Sequence, residues 1–196
     1  PDHDREWIFA MLKQYFAAIW QIVAMQSEHA VRTAREALTP ADDALDTATS
    51  LLQVRHGAGD AARTADLGER ALAQWQKRSK RWLGDLARRV RERHERAGEV
   101  AFLLEPDLKE GRGGLRDVHS LRWAEAARRL LWQGDDPALD AAYATLLAAR
   151  VELHRHTGRH GDRLSLEDQD AVAAALGDAS ADHLMHRLSA AARTTA

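Results

Sequence analysis

The chain has 196 residues, 45% of them hydrophobic, which is enough to bury a core of ordinary size. Its 30 acidic and 28 basic side chains give a net charge of −2, which argues against a nucleic-acid partner. It has no cysteine, which excludes disulfides and thiolate chemistry. It also has no apolar run of the roughly 18 residues that a membrane span needs. We therefore expect a cytoplasmic protein without a signal peptide.

The residue types favour helix over strand. Ala, Leu, Arg and Glu are abundant, whereas β-branched and aromatic residues are too sparse for a substantial sheet. We therefore expect an all-α fold, a bundle of about five to seven helices. We divide it into an N-terminal helix within residues 1–28 and a helical domain over residues 29–196.

The N-terminal helix is predicted over residues 4–27 and carries more apolar surface than one bundle face buries. Four bulky aromatic residues flank its apolar stripe, namely Trp7, Phe9, Phe16 and Trp20. Exposed aromatic clusters favour association, so we expect a homodimer or a dedicated protein partner here. Burial of these side chains within the fold is the alternative.

Two long helices are predicted next. Thr39, Pro40 and Asp42 form the pattern of a capped helix start at Pro40, and a second helix is expected from about Ala61 through Val90. Residues 77–96, which cover its C-terminal part and the residues that follow, contain nine Lys or Arg and three acids. This is either an anion-binding face or a solvated helix with ion pairs along it.

The pattern breaks over residues 102–117, called the glycine loop here, and helices follow to the C-terminus. One is expected from near Leu115 with Leu130 facing inward, and one ends at Gly158. A capping pattern at Ser165 opens a helix that Gly177 ends, and the last helix spans roughly residues 180–193.

The glycine loop is the candidate site for chemistry. Free backbone amides at a helix start attract phosphate, and Lys109, Arg112 and Arg116 add positive charge near those amides. Gly113 and Gly114 are expected to allow a positive φ angle or a close backbone approach. A structural turn held by glycines and ion pairs is the alternative. The candidate nucleotide or phosphate residues are Glu105, Asp107, Lys109, Gly113, Gly114, Arg116 and Asp117.

The loop sequence EPDLKEGRGGLRD resembles a signature of the bacterial protein-PII uridylyltransferase/uridylyl-removing enzymes, and more distantly of glutamine synthetase adenylyltransferase. Three further segments are similar to family blocks in the same order: HAVRT at 29–33, TATSLLQVRHGAGD at 47–60, and GRHGDRLSLEDQ at 158–169. The resemblance covers about residues 29–170.

The resemblance implies a helical domain that follows a nucleotidyltransferase domain, with the glycine loop near the nucleotide. It implies that Lys109 and Arg116 bind phosphate or tie the loop to the catalytic domain, and that Asp60 and Asp117 hold such arginines. For the full enzyme it implies Mg²⁺, UTP and the PII signal protein. The paired-aspartate metal motif of the family is missing from this sequence, which implies a chain without transferase activity of its own.

Histidine pairs are the remaining candidates for a site. His156 and His160 are four residues apart, and His183 and His186 are three apart, spacings that two metal ligands on a helix can have. No carboxylates complete either pair, so we assign no metal site and no catalytic residue.

The sequence therefore predicts a helical, non-catalytic module of a uridylyltransferase-like enzyme, with the glycine loop contributing to a nucleotide or phosphate pocket that an absent catalytic domain completes. The alternative is an interaction module, natural or designed, that displays the helix of residues 4–27 to a protein partner. Either a natural loss of the catalytic half or a shortened or redesigned chain would explain the missing motif.

Overall fold

Helices make up the described part of the chain. The computed structural model describes residues 31–128, 130 and 135–196. Over those ranges it has no strand and eight α-helices, one more than the expected upper count, so the all-α prediction is confirmed. The helices are α1 (Ala34–Leu38), α2 (Leu45–Leu51), α3 (Ala61–Lys77), α4 (Ser79–Ala97), α5 (Leu115–Ala127), α6 (Asp135–Thr157), α7 (Leu166–Leu176) and α8 (Ala181–Thr195).

The chain contacts divide the molecule into two units at Thr39 and Pro40. In the first unit, α1 begins at a capping box in which Thr33 and Glu36 each accept a hydrogen bond from the other's backbone N–H. Thr39 closes this helix, so it is not the start of the next one. The predicted α-helix at Pro40 is wrong. Residues 40–42 form a single 3₁₀ turn instead.

The predicted long helix over residues 61–90 is two helices. The backbone leaves helical geometry at Arg78, with φ −107° and ψ 18°, and α4 starts at the next residue. The break lets Trp75 and Trp82 stack with ring centroids 5.6 Å apart, and both rings are almost completely buried. These two side chains centre the core that α2, α3, α4 and α5 share.

The basic segment of α4 is held by ion pairs. Arg88 pairs with Asp85 at 2.8 Å along the helix, and Arg89 reaches Asp46 of α2 at 2.6 Å. These pairs favour the interpretation of a solvated helix over that of an anion-binding face.

The second core lies between α6, α7 and α8 and includes the glycine loop. Its central leucines are at most 1% exposed: Leu108, Leu146, Leu153, Leu164, Leu184 and Leu188. The predicted helix end at Gly177 is confirmed, since this residue is left-handed with φ 74°. Ser180 caps α8 by accepting from the His183 N–H at 3.2 Å. The predicted inward position of Leu130 is wrong, because more than half of this residue is exposed.

Two expectations concern association and membranes. The segment 4–27, with Trp7, Phe9, Phe16 and Trp20, lies outside the described residues, so its partner interface stays a prediction, and so do the domain bounds of 1–28 and 29–196. Among the described helices, none combines the length and the apolar character that crossing a membrane requires.

Candidate functional site

The glycine loop pairs with the segment that leads into α7. The Leu108 N–H donates to the Asp162 carbonyl, and the Leu164 N–H donates to the Pro106 carbonyl, each over 2.9 Å. An isolated antiparallel β-bridge forms at this pairing. Two sequence segments more than 50 residues apart are therefore joined by backbone bonds that do not depend on a sheet.

Acidic residues of the loop hold its own conformation. The Asp107 carboxylate accepts from the backbone N–H groups of Lys109 and Glu110, at 2.9 and 2.7 Å. Glu105 accepts from the Leu166 N–H at 3.1 Å and from Arg163 at 2.7 Å, and these two hydrogen bonds lower the pKa of Glu105. The carboxylates of Asp107 and Glu105 thus both accept hydrogen bonds from groups of the protein itself.

The two adjacent glycines meet the expectation of positive φ or close approach in different ways. Gly113 has φ 81°, and a Cβ there would lie 2.5 Å from the Ala192 carbonyl oxygen of α8. Gly114 has an ordinary φ of −85°, but a Cβ would lie 2.8 Å from the Gly111 carbonyl oxygen. Both positions exclude a larger side chain without movement of the backbone.

Backbone amides at the start of α5 are not free to bind a phosphate. The Leu115 and Arg116 N–H groups donate to the Leu108 and Lys109 carbonyls, each over 3.0 Å. The Gly113 N–H donates to the Asp117 carboxylate at 2.7 Å. The expectation that amides of this turn receive a phosphate is therefore wrong, because the loop folds back and satisfies them itself.

Asp117 is the centre of a buried ion cluster. Its side chain is 5% exposed and accepts from Arg93 of α4, which is itself buried. The His94 ring nitrogen Nε2 lies 2.9 Å from both carboxylate oxygens. The cluster links the last part of α4 to the first turn of α5, which is a structural role for Asp117.

Lys109 and Arg116 line one polar pocket, whereas Glu105 and Asp107 line a separate one on the other side of the loop's pairing with Arg163. This polar pocket has a volume of about 490 Å³, and its walls are α2, α5 and α6. Its cationic end consists of Lys109, Arg116 and, from α6, Arg150. Lys109 and Arg150 share Asp162, at 3.3 and 2.6 Å, and Arg116 pairs with Glu110 at 3.2 Å.

The opposite end of the polar pocket is aromatic and consists of His119, Trp123 and Tyr143. The His119 ring centroid lies 5.9 Å from that of Trp123 and 5.5 Å from that of Tyr143. Burial, and then the charges of Arg122 and Arg116, lower the pKa of His119, so its ring is neutral at pH 7. The Arg122 guanidinium lies 4.8 Å from the centroid of the Tyr143 ring, so a cation stands beside this end as well.

Seven residues separate the cation from the aromatic ring on each of two helices. Arg116 and Trp123 are on α5, and Tyr143 and Arg150 are on α6. With a rise of 1.5 Å per residue, each pair spans about 10 Å along its helix. That separation is the basis for describing two ends.

Asp162 makes the stability of the folded chain depend on pH. Burial alone would raise the pKa of Asp162, but the hydrogen bond from Arg150 and the charges of Arg150 and Lys109 outweigh burial and lower the pKa. A depressed folded-state pKa adds stability above the ordinary aspartate pKa of about 3.9, and this stability is lost as the pH falls below that value.

We expect Asp162→Asn to lower the free energy of unfolding by about 1–3 kcal/mol at pH 7. The difference from the parent chain should shrink as the pH is lowered from 5 towards 2, because the Asp162 carboxylate is protonated from about pH 4 downwards in the unfolded parent chain but only below its depressed pKa in the folded chain. Thermal melts at several pH values measure it. A difference that is constant over this range contradicts the assignment. Asp66→Asn, at an exposed pair with Arg70, is the control.

One histidine of each pair lies near a carboxylate. His183 lies 2.9 Å from Asp178, and His156 lies 3.6 Å from Asp168. In the part of the chain that the structure describes, no three His, Cys, Asp or Glu side chains gather as metal ligands.

Three curated proteins illustrate what the chain is similar to. The bifunctional uridylyltransferase/uridylyl-removing enzyme of Streptomyces coelicolor is 41% identical over 192 residues, which cover 97% of this chain and 22% of that protein. Enzymes of the same name from Mycobacterium tuberculosis H37Rv and Thiobacillus denitrificans are 42% and 32% identical, over 85% and 88% of this chain and 21% of each protein. No solved structure matches the chain.

The model of the family described as GlnD PII-uridylyltransferase matches residues 81–138 and 124–196, which is more than half of the chain. The chain belongs to this family. It spans about a fifth of the length of the curated relatives named above.

Three of the sequence segments described above meet at or beside the polar pocket. The block at 105–117 supplies Lys109 and Arg116, and the block at 47–60 supplies Thr49, Ser50 and Gln53. The block at 158–169 supplies Asp162, which holds two of the three cations. The motifs that look separate in the sequence thus belong to one local structure.

Sequence reasoning missed Arg150 and His119 as pocket residues and Arg93 as the partner of Asp117. Arg150 lies on a helix without a motif, and His119 looks like any helical histidine. His119 lies three residues after Arg116, on the same helix face, and this spacing is the signal that would have identified it as a pocket residue. For Arg150 the sequence offers no such signal.

Proposed function

We propose that the chain is a helical, non-catalytic module of a PII-uridylyltransferase-like nucleotidyltransferase. In this proposal, the glycine loop contributes to a nucleotide or phosphate pocket that a separate catalytic domain completes. The observation that carries the proposal is that Lys109 and Arg116, both part of the family signature, line one pocket with Arg150. Family membership supports it.

The module supplies binding and positioning rather than bond chemistry. Three cations at one end of a pocket can hold phosphate oxygens through charge-assisted hydrogen bonds. The carboxylates that hold Mg²⁺ against the nucleotide come, in this proposal, from the catalytic domain, and UTP and the PII protein are the two substrates of the whole enzyme.

Titration calorimetry of the chain with UTP and with inorganic triphosphate tests the pocket. We expect both to bind, and we expect the double variant Lys109→Met/Arg116→Gln to bind at least about tenfold more weakly, because two charge-assisted contacts are lost. Lys80→Met/Arg88→Gln removes the same charge from the exposed face of α4 and should not change binding. Equal binding by the two double variants, or no binding at millimolar concentrations, contradicts the proposal.

Activity gives an independent test of the non-catalytic assignment. We expect no uridylylated product when the chain is incubated with UTP, Mg²⁺ and a PII protein, because the paired aspartates of the family motif are missing. Mass spectrometry of the PII protein measures the product. Transfer by the chain alone overturns the assignment.

A further inference from the structure

Large apolar side chains are exposed together at the start of the glycine loop. Phe102 and Leu104 are each 75% exposed, Leu103 is 42% exposed, and Leu166 at the start of α7 is 56% exposed. They line one groove with a volume of about 740 Å³, called the apolar groove here. Four of the eight large hydrophobic residues that are exposed in the described part of the chain lie in it. Clusters of this kind mark interaction sites.

Hydrogen bonds from two helices hold the segment that carries three of these side chains. The buried Gln169 side chain of α7 donates to the Leu104 carbonyl at 2.7 Å. The Ser189 hydroxyl of α8 donates to the Ala101 carbonyl at 3.0 Å, so the segment is fixed at both of its ends. The exposure of its apolar side chains is therefore a property of the folded chain and not of a frayed loop.

The size of the apolar groove favours a short segment as its occupant over a second copy of the chain. Four side chains of this size and exposure present roughly 400 Å² of apolar surface, whereas a standard protein–protein interface covers about 800 Å² on each partner. The groove alone is therefore too small for a stable dimer. A few residues of a peptide, bound as an extended strand or a short helix, are enough to cover it.

The charges around the apolar groove specify an acidic residue in that segment. The carboxylates of Glu105 and Asp107 are engaged, the first with Arg163 at 2.7 Å and the second with backbone N–H groups of the loop. Arg96, in the last turn of α4, donates to the Glu92 carbonyl at 3.2 Å and has no carboxylate partner among the described residues. A carboxylate on the occupant would pair with this guanidinium. A single unpaired cation falls short of the polybasic cluster that an anionic membrane attracts.

We propose that the apolar groove binds a short peptide segment of a partner protein, with two large apolar side chains against Phe102, Leu104 and Leu166 and a carboxylate at Arg96. The apolar contacts supply the affinity, and the ion pair fixes the direction in which the segment lies. The apolar groove shares no lining residue with the polar pocket, so this inference goes beyond the proposed function and does not depend on it.

Selection of phage-displayed random peptides on the 196-residue chain tests the proposal. With counter-selection on Phe102→Ser/Leu104→Ser, we expect enrichment of peptides that carry at least two large apolar residues and an Asp or Glu. Fluorescence polarisation with an enriched peptide should show at least about tenfold weaker binding to that double variant, because two apolar anchors are lost. Leu72→Ser/Val151→Ser removes exposed apolar side chains from α3 and α6 and should leave the affinity unchanged. Circular dichroism establishes that both double variants are folded.

The ion pair is tested separately. Arg96→Gln should weaken binding of the enriched peptide roughly two- to fivefold, as expected for an exposed ion pair. A peptide whose acidic residue is replaced by its amide should bind the parent chain and Arg96→Gln equally well, because the pair is then absent from both complexes.

The remaining outcomes overturn the proposal. If no peptide is enriched, or if the enriched peptides need no acidic residue, the apolar groove does not recognise the proposed segment. If sedimentation shows that the parent chain dimerises and Phe102→Ser/Leu104→Ser does not, the occupant is a second copy of the chain. If the parent chain binds phosphatidylcholine vesicles and that variant does not, the apolar groove faces a lipid surface.

Discussion

Asp117→Asn should lower the free energy of unfolding by about 3–5 kcal/mol, which is the usual effect of removing one partner from a buried ion pair. The reason is that Arg93 remains buried after the change and has no other carboxylate partner among the contacts described for it. The amide that replaces the carboxylate also weakens the bond from the Gly113 N–H.

Urea denaturation followed by circular dichroism measures this effect. Asp140→Asn is the matched control, because Asp140 pairs with Arg122 at the surface and its loss should change stability by less than about 1 kcal/mol. Adding Arg93→Met to Asp117→Asn should cost much less than Arg93→Met alone costs in the parent chain. Strictly additive effects contradict the ion cluster.

Gly113→Ala is expected to destabilise the chain by roughly 3 kcal/mol or more, since two penalties combine. Alanine is strained at a φ of 81°, and its Cβ would overlap the Ala192 carbonyl of α8. The loop and α8 would have to separate, which also breaks the bond from the Thr195 hydroxyl to the Gly113 carbonyl at 2.7 Å.

Gly158→Ala measures the backbone strain of alanine at a positive φ without the steric overlap. Gly158 has φ 63°, but a Cβ there meets no atom within 4 Å, so only the backbone strain of about 1–2 kcal/mol remains. Thermal or urea unfolding of both variants gives the difference. If the two variants are equally stable, the close approach of α8 to Gly113 does not contribute.

Local signals explain which parts of the fold could be predicted. Gly177 and Ser180 mark a helix end and a helix start through their own backbone and side chain, so the sequence is sufficient there. The break at Arg78 has no such signal. It accompanies the stacking of two tryptophans in the core, a tertiary contact that the helical period of the segment does not reveal.

The candidate site was predictable in the same uneven way. Lys109 and Arg116 stand in a recognisable motif, and their position beside a pocket agrees with the sequence interpretation. The amides of Leu115 and Arg116 look free in the sequence, but carbonyls earlier in the loop occupy them. Which carbonyl accepts a hydrogen bond from an amide at a helix start depends on the path of the chain in space. Neither composition nor spacing reveals that path.

The pairing of the glycine loop with residues 162–164 has a consequence for the entropy of binding. Leu108 and Leu164 are fully buried, and their amides are bonded across the pairing, so the backbone beside Lys109 is already fixed before a ligand arrives. A loop that orders only on binding spends part of the interaction free energy on its own immobilisation. Here that cost is met during folding, and a ligand at the cationic end has only the side chains of Lys109, Arg116 and Arg150 left to order.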